Sequence, residues 1–175
     1  MVRLGHDGEH SLAEHVCLAL VVELSPAHGW AIAKELADDG PIGRIWTLTK
    51  PNTYRTLDVL TAKGLIFRSA MEQGRGAAKV PLAATDEGLA TNATWLERPV
   101  HHVRHVRSEL LLKLTFRNRC GLETTDFSRR QREQLRPTFA AIAAAPTHLT
   151  DPVALWRWEQ AAAVQRFLDL LAGHQ

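Results

Sequence analysis

The sequence predicts a mainly α-helical protein with one small β-hairpin, and three features of the chain predict this fold class. Apolar residues recur at helical spacing along most of the 175 residues. Prolines and glycines stand where the predicted helices end. Two β-prone segments flank a short stretch that contains Gly74 and Gly76, and this pattern is typical of a hairpin.

The first helix is predicted to begin at Ser11. Ser11 and Glu14 have the spacing of a capping box, in which each side chain accepts a hydrogen bond from the other residue's backbone. Pro26 follows the last apolar residue and should end the helix. The predicted buried face consists of Leu12, Val16, Leu20 and Leu24.

A second helix is predicted over residues 28–38, before the stop signal at Gly40 and Pro41. Its predicted inward face consists of Ile32, Ala33, Leu36 and Ala37. Residues 45–48 are short and β-prone, so we expect a small strand there.

The third helix is predicted to begin next to Pro51, because proline at the first helical positions loses no hydrogen bond. Leu57 and Leu60, with Tyr54 one turn earlier, form its predicted buried stripe. Gly64 is expected to cap its C-terminus.

Strands are predicted over residues 65–72 and 79–84, joined by a turn around Arg75. Pro81 has no amide hydrogen, so we expect the second strand to lie at an edge or to be distorted there. Thr85 and Asp86 should begin another helix. A helix-turn-helix followed by a hairpin is the order of elements in a winged helix.

The composition changes after Pro99, where the chain becomes helical and amphipathic. Val103, Val106, Leu110 and Leu114 recur at helical spacing. A helix over residues 127–144 should be kinked or broken at Pro137, and Asp151 with Pro152 should start the last helix. One face of that helix is predicted to carry Trp156, Ala163, Phe167 and Leu170. We therefore expect a winged helix-turn-helix domain at residues 10–98 and a helical region at 99–175 that dimerises with a copy of itself.

The net charge of +2 is small, but its distribution is uneven. Between residues 40 and 79 seven cations face only Asp58 and Glu72, a local charge of +5. Cys17 and Cys120 form no metal-ligand or disulfide pattern. No signal peptide and no membrane-spanning segment are expected, and these features together predict a cytoplasmic protein.

The predicted DNA-binding residues lie on and around the third helix and on the hairpin. Asn52 can pair with an adenine edge, Arg55 with a guanine edge or a phosphate, and the threonines with a thymine methyl. Cations on the hairpin and at the helix ends suit phosphates. An ordinary amphipathic helix with a solvated polar face is the alternative. The full set is Arg44, Lys50, Asn52, Thr53, Tyr54, Arg55, Thr56, Lys63, Arg75 and Lys79.

Catalytic and metal sites are not predicted. The chain has no nucleophile elbow, Walker loop or dinucleotide fingerprint, so we expect neither an enzyme nor a cofactor. His101 and His105 have the i, i+4 spacing of two metal ligands. A solvated, histidine-rich helix start is the better interpretation, because no cysteine lies nearby.

The chain resembles the longer PadR-family transcriptional regulators. The resemblance is carried by residues 26–30 (PAHGW), 54–57 (YRTL), 64–66 (GLI) and 85–88 (TDEG), and by 109–114 (ELLLKL) and 157–159 (RWE) in the second half. It implies a homodimeric repressor that binds a roughly palindromic operator in double-stranded DNA. It also implies a small-molecule effector site lined by tryptophans, for which the candidates are Trp30, Trp95, Trp156 and Trp158. Packing in the core or in the dimer is the alternative for each of these residues, and the better interpretation of each taken singly.

Two alternatives to this hypothesis remain. The chain could be a ligand- or metal-sensing winged-helix module that works through protein contacts rather than DNA. It could also be an enzyme with an unfamiliar site near the tryptophans.

Overall fold

A computed structural model describes residues 10–69, 80–145 and 151–173. These residues form helices and one two-stranded antiparallel hairpin, which confirms the predicted fold class. The chain divides into two compact units, one up to Leu96 and one from Glu97. No helix within the described ranges is long and apolar enough to cross a bilayer.

Helix α1, Leu12–Glu23, is the centre of the first unit. The predicted capping box is present: the Glu14 amide donates to Ser11 Oγ over 3.3 Å, and the Ser11 amide donates to Glu14 Oε2 over 2.7 Å. Seven consecutive residues of α1, from His15 to Val21, are buried. Cys17 has no exposed surface and is a core residue, as predicted. Its burial raises the pKa of the thiol to about 12.

Helix α2, Gly29–Glu35, is shorter than the predicted range 28–38. The Glu35 carbonyl accepts hydrogen bonds from the amides of Ile42 and Gly43, at 3.1 and 2.9 Å. Through these bonds, Ile42 and Gly43 fold back onto the last residue of α2. The helix therefore ends three residues before the predicted stop.

The strand predicted at residues 45–48 is absent from the structure. The Leu48 amide instead donates to the carbonyl of Leu36 at the end of α2, over 3.1 Å. Ala27 takes the place that this strand would have had: its amide and carbonyl both bond to Leu82, over 2.9 and 2.7 Å. The strand prediction was wrong because the Leu48 amide already has a hydrogen-bond acceptor in the Leu36 carbonyl and does not need a neighbouring strand.

Helix α3, Lys50–Ala62, has Pro51 at its start, as predicted. Gly64 follows it with a φ of 72°, the left-handed conformation expected of a C-terminal glycine. The hairpin consists of β1, Ile66–Arg68, and β2, Leu82–Ala84, with Ile66 opposite Ala84.

Pro81 shortens the predicted strand 79–84, which begins only at Leu82, in keeping with the distortion predicted there. It stands just before β2, where its missing amide hydrogen is not needed, and its carbonyl accepts from the Ser69 amide over 2.9 Å. β2 is bonded on one side to β1 and on the other to Ala27. Residues 70–79, which include most of the predicted turn, lie outside the described residues.

Helix α4, Asp86–Glu97, begins where the sequence predicts it. Thr85 Oγ1 accepts from the Gly88 amide over 3.1 Å and donates to the Gly64 carbonyl over 2.7 Å. A Cβ at Gly88 would lie 2.0 Å from the Leu65 carbonyl oxygen. Only glycine therefore allows α4 to pass so close to the chain that enters β1.

The second unit contains a 3₁₀ turn, Val103–His105, a π-helical segment, Val106–Leu110, and three helices. These helices are α5, Leu111–Arg119; α6, Thr125–Ala144; and α7, Pro152–Leu171. The predicted stripe is confirmed: Val103, Val106 and Leu110 are buried in its core and Leu114 packs against them. The core is completed by Val100, Phe127, Leu135, Phe139, Ala161, Val164 and Leu168.

Helix α6 continues through Pro137, so the predicted break does not occur. The start of α7 is confirmed, because Asp151 Oδ1 accepts from the amides of Val153 and Ala154, at 2.9 and 3.3 Å. The apolar face predicted on α7 is not the one that the core of this unit buries. Ala161, Val164 and Leu168 face the core, whereas Trp156 and Leu170 are 64% and 68% exposed.

Buried and half-buried ion pairs support the second unit. Lys113 and Glu109 pair over 2.8 Å, and both side chains are almost completely buried. Lys113 Nζ also donates to the Arg98 carbonyl over 2.7 Å. Glu97 accepts from Arg117 and Arg130, each over 2.6 Å.

Candidate nucleic-acid interface

Helix α3 packs on α1 and α2 through one stripe of side chains, which determines the face that it leaves open. The buried residues are Thr53, Leu57 and Leu60, at helical spacing. Lys50, Asn52 and Arg55 are exposed on the remaining surface. Val59, which is 39% exposed, continues the ridge of Asn52 and Arg55 by one further turn.

Thr53 is buried, so the prediction that its side chain contacts DNA is wrong. Its side chain has no exposed surface, and its hydroxyl donates to the Thr49 carbonyl over 3.2 Å. The error was one of helical phase, because Thr53 occupies the buried position that was assigned to Tyr54. Threonine fits there, since its hydroxyl is satisfied by its own helix.

Tyr54 is 41% exposed, so its predicted inward packing is also corrected. Its ring lies beside the start of α2, where a Cβ at Gly29 would come within 2.8 Å of Tyr54 Cε1. Tyr54 therefore lies at the junction of α2 and the open face of α3. Thr56 is half-buried, and its hydroxyl donates to the Asn52 carbonyl over 2.8 Å.

The cations around α3 divide into paired and unpaired groups. Lys63 forms an ion pair with Glu14, and Arg68 pairs with Asp58 over 2.7 Å. Burial raises the pKa of Glu14, but hydrogen bonds from Lys63 and Ser11 outweigh it and leave the pKa lowered. Arg44, Lys50 and Arg55 form no ion pair within the described ranges.

The pairing of Asp58 has an electrostatic consequence for α3. Asp58 is the single acidic residue of this helix, and the Arg68 guanidinium lies 2.7 Å from its carboxylate. The negative charge is thereby compensated at short range. The N-terminal half of the α3 surface keeps the unpaired cations Lys50 and Arg55.

A groove of about 510 Å³ lies beside the N-terminus of α3. Trp30 and Lys34 of α2 line one side of it, and Lys50 and Asn52 of α3 line the other. Sequence reasoning missed Lys34, which is exposed. Its position one turn after Trp30 is the signal that could have placed it on the same face of α2.

The remaining predicted DNA contacts, Arg75 and Lys79, lie outside the described residues. Their assignment to phosphate stays a prediction.

Trp30 and Trp95 of the first unit have different surroundings. Trp95 is buried, and its ring stacks on that of His15 with centroids 5.1 Å apart and planes 5° apart. Trp30 is exposed in the groove next to α3. Trp95 is therefore packed in the core of this unit, and its assignment to an effector pocket stays a prediction.

In the second unit, Trp156 and Trp158 have different surroundings. Trp156 is exposed on α7. Trp158 lines a separate pocket of about 400 Å³ between α6 and α7, together with Arg157. Trp158 therefore keeps a place in a candidate pocket, and Trp156 does not.

The histidines of the second unit do not assemble a metal site among the residues that the structure describes. His101 is exposed and within 3.1 Å of Gln134, whereas His105 is buried and accepts from Arg104. The ring of His102 meets that of His105 edge-on, with centroids 5.2 Å apart.

No protein-family model matches the chain, and no curated protein matches it in sequence. Among solved structures, it is similar to Bacillus subtilis PadR in complex with operator DNA, with 19% identity and a TM-score of 0.45. The alignment covers 92% of this chain and 98% of that one. PadR in complex with p-coumaric acid gives 20% identity, a TM-score of 0.42, and coverage of 92% and 97%. At this identity, the function of this chain is inferred from its own residues.

Proposed function

We propose that this protein is a sequence-specific DNA-binding transcriptional regulator whose helix α3 enters the major groove. The observation that carries the proposal is the open face of α3, where Lys50, Asn52 and Arg55 are exposed without ion pairs among the described residues. An α-helix fits the width of the major groove, and amide and guanidinium groups can each make two hydrogen bonds to a base edge.

The residues take different roles in this proposal. Asn52 and Arg55 read base edges, and Val59 continues their ridge for apolar contact with a thymine methyl. Lys50 and Arg44 anchor phosphates, and Lys34 joins them across the groove beside α3. Arg75 and Lys79, which lie outside the described residues, are proposed as further phosphate contacts.

A DNA-binding experiment tests this assignment. Selection from a random duplex pool should yield a defined sequence, and affinity for it should fall steeply with salt. Arg55→Ala should then weaken binding by ~1–3 kcal/mol and relax the preference at one base position. Arg166→Ala removes the same charge from an exposed position on α7 and is the matched control. Failure to select any sequence, or equal binding by both variants, contradicts the proposal.

We further propose that the protein is a homodimer joined through α7. A second apolar stripe follows this helix at alternating spacings of three and four residues, the pattern of a helix-helix seam. Val153, Trp156 and Leu170 on this stripe are each more than 60% exposed. The stripe lies about 110° around the helix from the core-facing residues. Its positions are Val153, Trp156, Gln160, Ala163, Phe167 and Leu170, all apolar except Gln160.

Point substitutions test the dimer better than truncation, because α7 also supplies Ala161, Val164 and Leu168 to the core of its own unit. Trp156→Glu and Leu170→Glu should each yield monomers in sedimentation velocity. Arg166→Glu introduces the same residue off the stripe and should leave the dimer intact. A dimer that survives both stripe substitutions places the interface elsewhere.

Dimerisation would increase sequence specificity, because one copy of α3 offers only a few side chains to the bases. Two copies of α3 would read two half-sites related by a two-fold axis, so the selected DNA should be roughly palindromic. We infer that the bound dimer acts as a repressor by covering its operator, and that a small molecule releases it by favouring another dimer geometry.

The alternative function, a sensing module that acts through protein contacts, is favoured by one observation. Of the five described cations between residues 44 and 68, two are already engaged in ion pairs. This alternative would be supported if the protein bound duplex DNA only weakly and its affinity did not change with salt concentration.

A further inference from the structure

An acidic side chain, Asp58, lies on the open face of α3 beside Arg55. It is about 130° around the helix axis from the middle of the buried stripe. Asp58 and Val59 therefore flank Arg55, one turn further along the helix. A carboxylate on a DNA-binding face is repelled by the phosphates. Its presence there indicates either a role in the fold or a hydrogen-bond donor on the DNA that needs an acceptor.

The ion pair of Asp58 with Arg68 contributes little to the fold but fixes the position of the carboxylate. The two side chains are 66% and 53% exposed, and ion pairs so exposed add little stability. The backbone of Arg68 is held in β1 opposite Leu82, and its Nη2 donates to Asp58 Oδ1 over 2.7 Å. The carboxylate is thus held between a strand and a helix before DNA binds, which is the preorganisation that a specific contact needs.

The same pair keeps Asp58 and Arg55 available for DNA. Residues three apart on a helix are close enough to form an ion pair, yet Arg55 forms none among the described residues. Arg68 supplies the cation for Asp58 from β1 instead. Its hydrogen bond is to Oδ1, and Oδ2 of Asp58 has no hydrogen-bond donor within the described ranges. One carboxylate oxygen therefore remains as an acceptor.

An oxygen that only accepts hydrogen bonds is complementary to one base in the major groove. Cytosine presents the donor N4 amino group without an acceptor on the same base, whereas the adenine amino group lies beside the acceptor N7. Guanine and thymine present acceptors there. A carboxylate therefore favours cytosine, and an amide, which both donates and accepts, favours adenine.

We propose that Asp58, held in place by Arg68, accepts a hydrogen bond from the N4 amino group of a cytosine and so determines one base of the bound sequence. The proposal rests on the proposed DNA-binding function and adds a specificity-determining residue to it. Arg68 is a positioning residue, because it acts through Asp58. Since Asp58 and Arg55 are one turn apart, the cytosine belongs to the base pair that Arg55 contacts or to the next one.

The first test compares the wild type with Asp58→Asn, which keeps the shape of the side chain and removes its charge. Each protein is used to select from a random duplex pool. The wild type should prefer cytosine at one position by about fivefold or more, and Asp58→Asn should lose that preference and accept adenine. Glu87→Gln, which removes an exposed carboxylate from α4 of the same unit, should leave the base preference unchanged.

A modified base tests the hydrogen bond itself. Methylation of this cytosine at N4 keeps its pairing with guanine and removes the amino hydrogen that faces the major groove. The modification should weaken wild-type binding by about fivefold or more and should have little effect on Asp58→Ala, which has no acceptor at this position.

Arg68→Gln tests the positioning role. It should reduce the cytosine preference in the wild-type background and leave the base preference of Asp58→Asn unaltered. Arg68→Lys, which keeps a cation, should retain more of the cytosine preference than Arg68→Gln does. Equal weakening of all sequences by Arg68→Gln in both backgrounds would instead make Arg68 a phosphate contact and contradict its role through Asp58.

The outcomes distinguish this proposal from the proposed function. If Asp58→Asn selects the same sequence as the wild type with the same preferences, Asp58 does not read a base and this proposal fails alone. A gain in affinity that is equal for all sequences leads to the same conclusion, because it shows only the loss of repulsion from phosphate. If the wild type selects no sequence, the DNA-binding function fails and this proposal fails with it.

Discussion

The ring of Tyr54 lies so close to the backbone of Gly29 that a Cβ at Gly29 would come within 2.8 Å of Tyr54 Cε1. Glycine at the start of α2 therefore determines where the ring of Tyr54 can lie, and with it one edge of the open α3 face. Tyr54 is the sole tyrosine of the chain, so its ring signals can be followed without ambiguity.

Replacing Gly29 with alanine should displace the Tyr54 ring and weaken DNA binding several-fold. The fold should be retained, because alanine suits a helix better than glycine by about 1 kcal/mol. NMR spectra of the labelled tyrosine ring report the displacement. If the effect acts through the ring, Gly29→Ala should have no further effect on affinity in a Tyr54→Ala background. An equal loss in both backgrounds would show that α2 itself was disturbed.

Thr53 and Asn52 are neighbours with opposite surroundings, and substitutions should separate their roles. Thr53→Val keeps the shape of a buried side chain and removes one hydrogen bond within its helix. Its unfolding free energy should change by about 1 kcal/mol, with sequence preference unchanged. Asn52→Val should leave stability nearly unaltered and change the preferred DNA sequence. Selection experiments on both variants measure this, and a changed preference in Thr53→Val would restore Thr53 to the interface.

Because Glu109 and Lys113 form a buried ion pair, replacing one of them should destabilise the protein more than replacing both. Lys113→Met should destabilise the second unit by roughly 3–5 kcal/mol, because it removes the ammonium group that lies 2.8 Å from a buried carboxylate. Replacing both residues, as in Glu109→Leu with Lys113→Met, should be far less damaging. Urea unfolding of the two variants provides the comparison. A double variant as unstable as the single one would mean that the loss comes from other contacts of Lys113, such as that with the Arg98 carbonyl.

Glu97 should make the second unit sensitive to acid. Hydrogen bonds from Arg117 and then Arg130 hold the pKa of Glu97 below its ordinary value of 4.5. The ionised form therefore stabilises the fold above that value, and the contribution is lost as pH falls through the lowered pKa. Glu97→Gln should be less stable than the wild type at neutral pH, and the two should converge in acid.

Urea-unfolding midpoints at several pH values measure this convergence. Glu159→Gln removes an exposed carboxylate that has no ion pair in the described part of the chain, and it is the matched control. A constant difference between Glu97→Gln and the wild type across the pH range would contradict the prediction.

The parts of the fold that sequence predicted are those that local chemistry determines. Ser11 with Glu14, Pro51 and Asp151 define helix starts through side chains only a few residues away. Residues 45–48 were misassigned because their β propensity is outweighed by a bond from the Leu48 amide to Leu36. Local patterns do not reveal that the distant Ala27 pairs with the hairpin.

In the candidate site, too, the features set by local sequence were predicted and those set by tertiary contacts were not. Asn52 and Arg55 were placed correctly on the exposed side of α3, since most of its buried stripe is evident from Leu57 and Leu60. The buried and exposed positions of Thr53 and Tyr54 were predicted the wrong way round. Thr53 can be buried because its hydroxyl donates to the Thr49 carbonyl, and Tyr54 can stay exposed because its ring lies beside Gly29. On α7 two apolar stripes coexist, so periodicity alone could not tell which one faces the core of its own unit.

The two hydrogen bonds between Ala27 and Leu82 link the segment before α2 to the hairpin. Amide exchange at Ala27 should therefore report whether the hairpin is in place. Ala27 precedes α2 and belongs to no helix, and its amide is nevertheless buried and bonded to β2. Its deuterium uptake should therefore be as slow as that of the Leu82 amide, and both should accelerate together when β2 detaches. One loop amide thus monitors whether the segment before α2 and the hairpin open in a single cooperative event.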